Sequence, residues 1–211
     1  MKITILYDNT AWDRHLTADW GFSCLVEAHG QKILFDAGAK GDILLNNMQI
    51  IGIDPCQLDF IFISHDHWDH TGGLEDILQK IKIPVYVPVS FNSLNNAGSM
   101  IRISHARKIN DNIYSTGELN HMEQSLVLRI GGEVVVVTGC SHPGVKEIIR
   151  AASSFGPVAA LVGGLHGFND FDLIDHLKQI CPTHCTQYIQ EIAARYPDKY
   201  IPGGAGKTIS V

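Results

Sequence analysis

Ser64-His65-Asp66-His67-Trp68-Asp69-His70-Thr71-Gly72-Gly73 places four potential metal ligands, His65, His67, Asp69 and His70, within six residues. The run before it, Asp59-Phe60-Ile61-Phe62-Ile63, reads as the core of a buried strand over Leu58 to Ser64. The run after it, Leu74 to Ile81, carries apolar residues at helical spacing. A helix would spread the four ligands around its axis, and a strand would alternate them between faces. A tight strand-to-helix turn can aim them at one point. Imidazoles of His65 and His67 then suit one divalent cation, and Asp69 with His70 a second beside it. Two cations roughly 3.5–4 Å apart can activate a shared water and clamp a substrate oxygen.

Outward from that turn, the chain reads as strands that first form hairpins and later alternate with helices. Ile3 to Tyr7 is a first strand; Phe22 to Ala28 and Lys32 to Phe35 join at His29-Gly30. Asp42 to Ile51 is helical and Gly52 ends it; Val85 to Val87 is a strand. Residues 90–120 read as loop with a short helix and short strands. Leu126 to Ile130 and Glu133 to Val137 form a hairpin about Gly131-Gly132, and Val145 to Ala152 is helical. Val158 to Val162 is a strand closed by Gly163-Gly164, glycines that would let backbone approach a ligand. Phe171 to Ile180 and Thr186 to Arg195 read as helices, with Tyr200 and Lys207 to Val211 as strand-like ends. The mixture predicts an α+β protein with two sheets packed face to face and helices outside.

The 211 residues fit a single domain over 1–211, with 45% hydrophobic and 18% charged residues. A net charge of −6 without a basic stripe argues against a nucleic-acid partner. No apolar run approaches the roughly 18 residues of a membrane span, and Ile3 to Tyr7 is too short for a signal-peptide core. Five cysteines, an odd number in a chain of this size, imply no disulfide framework and point to the cytoplasm. Cys181 and Cys185 lack the second pair a zinc finger needs. Gly203-Gly204-Ala205-Gly206-Lys207-Thr208 resembles the end of a phosphate-binding loop, but Ile201 stands where its first glycine is needed and no helix can follow. Of the eleven histidines, His15, His29, His105 and His176 have no special setting.

His65-x-His67-x-Asp69-His70 resembles the signature of the metallo-β-lactamase superfamily. Phe35-Asp36-Ala37-Gly38 resembles its early aspartate segment, and Thr138-Gly139-Cys140 and Pro182-Thr183-His184-Cys185 resemble its later segments, so the likeness spans nearly the whole chain. It implies an αββα four-layer sandwich of two mixed sheets, a centre of two divalent ions (zinc first, manganese or iron also suited), Asp36 behind the ligands and His184 as a ligand of the second ion. Cys140 departs from the pattern, standing where the family's bridging aspartate would be. Gly139-Cys140-Ser141-His142-Pro143-Gly144, with Asp8-Asn9, Gly163-Gly164-Leu165-His166 and Thr183-His184-Cys185-Thr186, resembles the branch called metal-dependent hydrolases of β-lactamase superfamily II. An archaeal relative there is linked to ribofuranosylaminobenzene phosphate synthesis.

The first ion's set is completed by His142, which follows the strand Val134 to Val137, or by His121, which precedes Ser125-Leu126 by four residues. Cys140 reads equally as a thiolate ligand and as a small buried turn residue. His166 and Asp69 are the catalytic candidates, His166 contacting substrate or acting as general acid. The expected activity is hydrolysis of a small-molecule ester or phosphoester by a metal-held hydroxide, with substrate entering between loops 8–20, 90–120 and 163–170. A synthase of pterin-type cofactor biosynthesis and a non-catalytic metal or ligand sensor are the alternatives.

Overall fold

In the computed structural model, which describes residues 1–92 and 100–211, β-branched and aromatic runs form strands and amphipathic runs form helices. Strand β1 spans Lys2–Tyr7, β2 Ser23–Ala28 and β3 Gln31–Phe35, and helix α1 spans Gly41–Ile51. Next come β4 (Phe60–Phe62), the single turn α2 (Trp68–Thr71), α3 (Leu74–Lys80) and β5 (Val85–Pro88). β6 (Met100–Ile103), β7 (Arg107–Asn110) and β8 (Ile113–Ser115) precede β9 (Leu126–Ile130) and β10 (Glu133–Thr138). The chain continues through α4 (Val145–Ala152), β11 (Val158–Gly164), β12 (Gln179–Thr183), α5 (Ile189–Arg195) and β13 (Thr208–Ser210).

Two mixed sheets result, ordered β13-β1-β2-β3-β4-β5-β6 and β12-β11-β10-β9-β8-β7. β9 and β10 pair from Ile130↔Glu133 upward, and the intervening Gly131 and Gly132 both have positive φ. A two-residue hairpin loop of matching twist requires that, so glycine is the fitting residue at both places.

Residue alternation splits the apolar side chains into three layers. Ile3, Ile5, Phe22, Phe35 and Phe62 of one sheet meet Leu126, Leu128, Val135, Val137 and Val162 of the other. On the outer face of the first sheet, Leu6, Leu34, Ile61 and Val85 pack under Leu44 and Met48 of α1 and Leu74 and Ile77 of α3. On the outer face of the second, Val134, Val136, Leu161 and Ile180 pack under Val145, Ile148 and Ile149 of α4 and Ile192 of α5. This is the helix–sheet–sheet–helix order expected from the sequence.

One element differs from expectation. Leu173, Ile174, Leu177 and Ile180 carry helical spacing, yet only Phe171–Ile174 forms a short 3-10 turn, and Ile180 lies in β12. Ile174 and Leu177 cap the outer layer of the second sheet, and Ile180 pairs with Leu161 in a parallel edge strand. Tertiary burial overrides the local period. In 90–120, the short strands are β6, β7 and β8, and among the described residues there is no short helix; residues 93–99 lie outside those described. Among the described residues no helix is long and apolar enough to cross a membrane.

Candidate metal centre

β1 and β3 run in the same direction, each being antiparallel to β2, and β4 is parallel to β3. β10, β11 and β12 are mutually parallel. The chain therefore leaves each of these strands through its carboxyl end, where ligand sites of such sheets gather. Asp8 and Asn9 follow β1, Asp36 follows β3, residues 64–70 follow β4, Cys140 to His142 follow β10, His166 follows β11 and His184 follows β12. Asp36, Ser141, His166 and His184 leave their strands with φ of 53°, 61°, 48° and 50°. That left-handed conformation disfavours a non-glycine residue by on the order of 1–2 kcal/mol, and such residues cluster where a site imposes its geometry.

Hydrogen bonds behind the imidazoles fix which nitrogen faces inward. Ser64 Oγ donates to Asp36 Oδ2 at 2.7 Å and lies 2.8 Å from His65 Nδ1. With its own proton committed to Asp36, the hydroxyl accepts from His65 Nδ1–H and leaves His65 Nε2 as a lone pair. His70 Nδ1 donates to Asp36 Oδ2 at 2.7 Å, turning Nε2 toward Cys140 Sγ, 3.2 Å away. His184 Nδ1 donates to Asn9 Oδ1 at 2.9 Å. Asn9 Nδ2 donates to the His184 carbonyl and Asp8 Oδ1 accepts from His184 N–H. Burial pushes the Asp8 carboxyl up to about 6. Partners of this kind set the tautomer and basicity of metal-ligating histidines.

The inward atoms form two groups. Ligand atoms of His65, Cys140 and His142 lie within 4.8 Å of one another, and so do those of His70, Cys140 and His184. His67 joins the first group, with its ring 4.4 Å from His65 and 4.8 Å from His142. Asp69 joins the second: its Oδ2 lies 3.3 Å from His184 Nε2 and accepts from Trp20 Nε1 at 2.8 Å.

The residues present fit divalent cations. Among the described residues, His142 Nε2 is buried without a hydrogen-bond partner and His184 Nε2 meets only Asp69 Oδ2 at 3.3 Å, although buried polar atoms nearly always have a partner. Two nitrogens bound to one tetrahedral ion at ~2.0–2.1 Å would sit about 3.3 Å apart; His65 Nε2 and His67 Nδ1 are 3.0 Å apart.

Electrostatics favour neutral His65 and His142 and an ionised Asp69, whereas His70 is shifted the other way. Burial, reinforced by His70 and His67, holds His65 well below the usual histidine range, and burial also lowers His142. Burial alone would raise Asp69, but His184, His70 and the Trp20 N–H outweigh it and push the carboxyl down. Burial would lower His70, but the Asp36 carboxylate outweighs it and raises it. Cys140 is pushed up by its hydrogen-bonded neighbour Cys185 and by burial.

Glu123 is the organising residue that the sequence reading missed. It is fully buried, and its Oε1 accepts from Thr138 Oγ1 and from the backbone N–H of Gly139, Cys140 and Ser141 at 2.9–3.1 Å. Oε2 accepts from His142 N–H at 2.9 Å. One carboxylate thus wraps the turn that carries Cys140 and His142. The only signal in the sequence is an acidic residue three positions ahead of the apolar strand that starts at Leu126. Trp20, bonded to Asp69, was also missed.

His142 meets the cluster, whereas His121 is exposed on the turn ahead of Glu123. His166 is exposed, with its ring 5.2 Å from His142. The Gly163-Gly164 pair makes room for protein rather than ligand. A Cβ on Gly163 would lie 1.9 Å from the Thr138 carbonyl, and one on Gly164 would lie 2.7 Å from Cys185 Sγ.

The family model of the metallo-beta-lactamase superfamily matches residues 18–98. A 7,8-dihydropterin-6-methyl-4-(beta-D-ribofuranosyl)-aminobenzene-5'-phosphate synthase of Methanocaldococcus jannaschii is 26% identical over 255 aligned positions, covering 88% of this chain and 85% of the relative. The crystal structure of Tm1679, described as a metal-dependent hydrolase of the beta-lactamase superfamily, superposes with a TM-score of 0.80 at 25% identity, covering 100% and 99% of the two chains. The short form of human tRNase Z shares the fold with a TM-score of 0.67 at 17% identity, covering 100% and 99%.

Proposed function

From the premise that this chain is a metallo-β-lactamase-superfamily protein in fold and in its match over residues 18–98, we propose that it is a metal-dependent hydrolase of a small-molecule ester or phosphoester. His65, His67 and His142 would hold one divalent cation, and Asp69, His70 and His184 a second. The observation that carries the reading is the convergence of His142 and His184, from strands of the second sheet, on the 64–70 turn of the first, each with a buried Nε2 that makes no hydrogen bond among the described residues. When bound, a cation pair supplies a water acidified toward neutrality and positive charge for the substrate oxygen. A donor set dominated by imidazole favours zinc, with manganese or iron also compatible.

The chain's own residues do the rest. Asp36, Ser64 and Asn9 hold His70, His65 and His184 in the tautomers that present Nε2. Asp69, fixed by Trp20, orients the attacking water. His166, exposed beside His142, has room to give a ring proton to the leaving group. The net charge of −6 supports a small-molecule substrate over a nucleic acid. We read residues 1–211 as one domain, and five cysteines without a disulfide support a reducing cytoplasm.

The test is metal analysis of purified protein paired with turnover of phosphodiesters, lactones and carboxylic esters, in the wild type and His67→Ala. Bound divalent metal and hydrolysis, both lost in His67→Ala, are expected. Hydrolysis retained by His67→Ala, or absence of metal, overturns the reading. The similarity to the M. jannaschii synthase favours one second reading, a group transfer on a ribosyl phosphate in pterin-type cofactor synthesis. Joining of a dihydropterin-6-methyl group to a ribofuranosylaminobenzene phosphate, without ester hydrolysis, selects it. Tight metal binding with no turnover on either panel selects a sensor instead.

A further inference from the structure

Both ligand groups contain the same sulfur. Cys140 Sγ lies within 4.8 Å of the inward nitrogens of His65 and His142 on one side and of His70 and His184 on the other. Its side chain is buried, and His70 Nε2 is 3.2 Å from it. A nitrogen at ~2.05 Å and a sulfur at ~2.3 Å from one tetrahedral ion would lie about 3.6 Å apart, close to that separation. The sulfur cannot shift away easily, because Glu123 pins the backbone N–H of residues 139 to 142 and Gly164 lies against the Cys140 Cα. The independent observation that points to a cation is that, among the described residues, His142 Nε2 and His184 Nε2, one in each group, make no hydrogen bond, with the His184 side chain fully buried.

We propose that Cys140 is a bridging thiolate, its single sulfur shared by the two cations. The inference rests on the metal-centre reading above and adds a ligand to it. Loading exchanges the thiol proton for two sulfur–metal bonds: the S–H proton leaves to solvent, the sulfur keeps its electron pairs, and no oxidant or reductant takes part. A soft donor at the shared position tilts the centre toward zinc, cobalt or iron and away from magnesium or calcium, which prefer oxygen. Cys185, whose Sγ lies 3.8 Å from the Cys140 carbonyl, is the neighbouring thiol to be told apart from it.

Cobalt(II) supplies a readout separate from activity, because thiolate coordination gives a sulfur-to-cobalt charge-transfer band in the near ultraviolet. Metal-free full-length protein is titrated with cobalt(II) alone. The band is expected to grow through both the first and the second equivalent, to vanish in Cys140→Ser and Cys140→Asp, and to persist in Cys185→Ser. Cys140→Asp, with an oxygen in place of sulfur, is expected to keep both cobalt ions, so loss of the band is not loss of the site. A band that stops at the first equivalent overturns the bridge. Two bound ions without a band, or a band that survives in Cys140→Ser, overturns any ligand role for Cys140 while leaving the metal centre standing. Failure of the wild type to retain cobalt, zinc or iron overturns the metal-centre reading as well.

Discussion

His70 Nδ1 lies 2.7 Å from Asp36 Oδ2, and neither side chain is exposed to solvent. The same carboxylate accepts from Ser64 N–H and Ser64 Oγ, so one residue after β3 fixes the turn after β4 and the ring that faces Cys140. Removing one partner of a buried pair is far more damaging than the pair is worth in isolation, on the order of 3–5 kcal/mol. Asp36→Ala is expected to lose that much stability in denaturant unfolding. Asp36→Asn keeps the shape but removes the charge that fixes the His70 tautomer, and zinc affinity is expected to fall about 10- to 100-fold. Isothermal titration of Asp36→Asn matching the wild type would remove Asp36 from the metal centre.

Glu123 offers a test of the second sheet's half of the site. Its carboxylate collects four backbone N–H donors and one hydroxyl from residues 138–142. Hydrogen bonds to a charged acceptor contribute roughly 1.5–3 kcal/mol each. Glu123→Gln puts an NH2 group where one oxygen received donors, so at least one backbone N–H is left unmatched. A loss of about 3 kcal/mol or more is expected in the urea midpoint, with Cys140 and His142 displaced together. A variant as stable as the wild type would mean that the turn holds itself.

The thiols report on the sandwich. Cys24 of β2 and Cys181 of β12 sit in the layer between the sheets. Burial raises the Cys24 thiol well above its usual range and pushes Cys181 up to about 12. Only the thiolate attacks an alkylating reagent, so both stay unreactive as pH rises through about 8.5, the value of a free thiol. Exposed Cys56 and half-buried Cys185, whose thiol its hydrogen-bonded neighbour Cys140 holds down, are expected to label under native conditions, and Cys24 and Cys181 only as the protein unfolds. Mass spectrometry showing Cys24 or Cys181 alkylated in folded protein would contradict the packing of the two sheets.

The 64–73 stretch was legible because ligand density, a preceding buried strand and a following helix all point to one turn. The β9–β10 hairpin and α4 were legible for similar local reasons: paired glycines at the loop and apolar residues at helical spacing. Long-range pairing was not. Gln179–Thr183 became a strand because β11 offers it a parallel partner, which no local period announces. Glu123 draws the loop after β10, with His142, inward while His121 stays on the exposed turn. A chain of side-chain-to-backbone bonds leaves no pattern in residue order.

His184 and His166 separate holding a metal from acting on a substrate. His184 Nε2 is buried 3.3 Å from Asp69 Oδ2, and its Nδ1 is held by Asn9 Oδ1, so the ring is fixed with Nε2 facing the second group. His184→Ala is expected to lose metal from the second group and activity with it. His166 is exposed, with its ring 5.2 Å from that of His142. His166→Ala is therefore expected to keep its full metal content and lose about 10²- to 10⁴-fold in kcat, the range for a missing general acid. The loss should shrink for substrates whose leaving group needs no proton, such as an activated aryl ester, because proton transfer then drops out of the rate-limiting step. If His166→Ala loses metal as His184→Ala does, His166 is a ligand. If kcat is unchanged with both good and poor leaving groups, its place beside His142 is not catalytic.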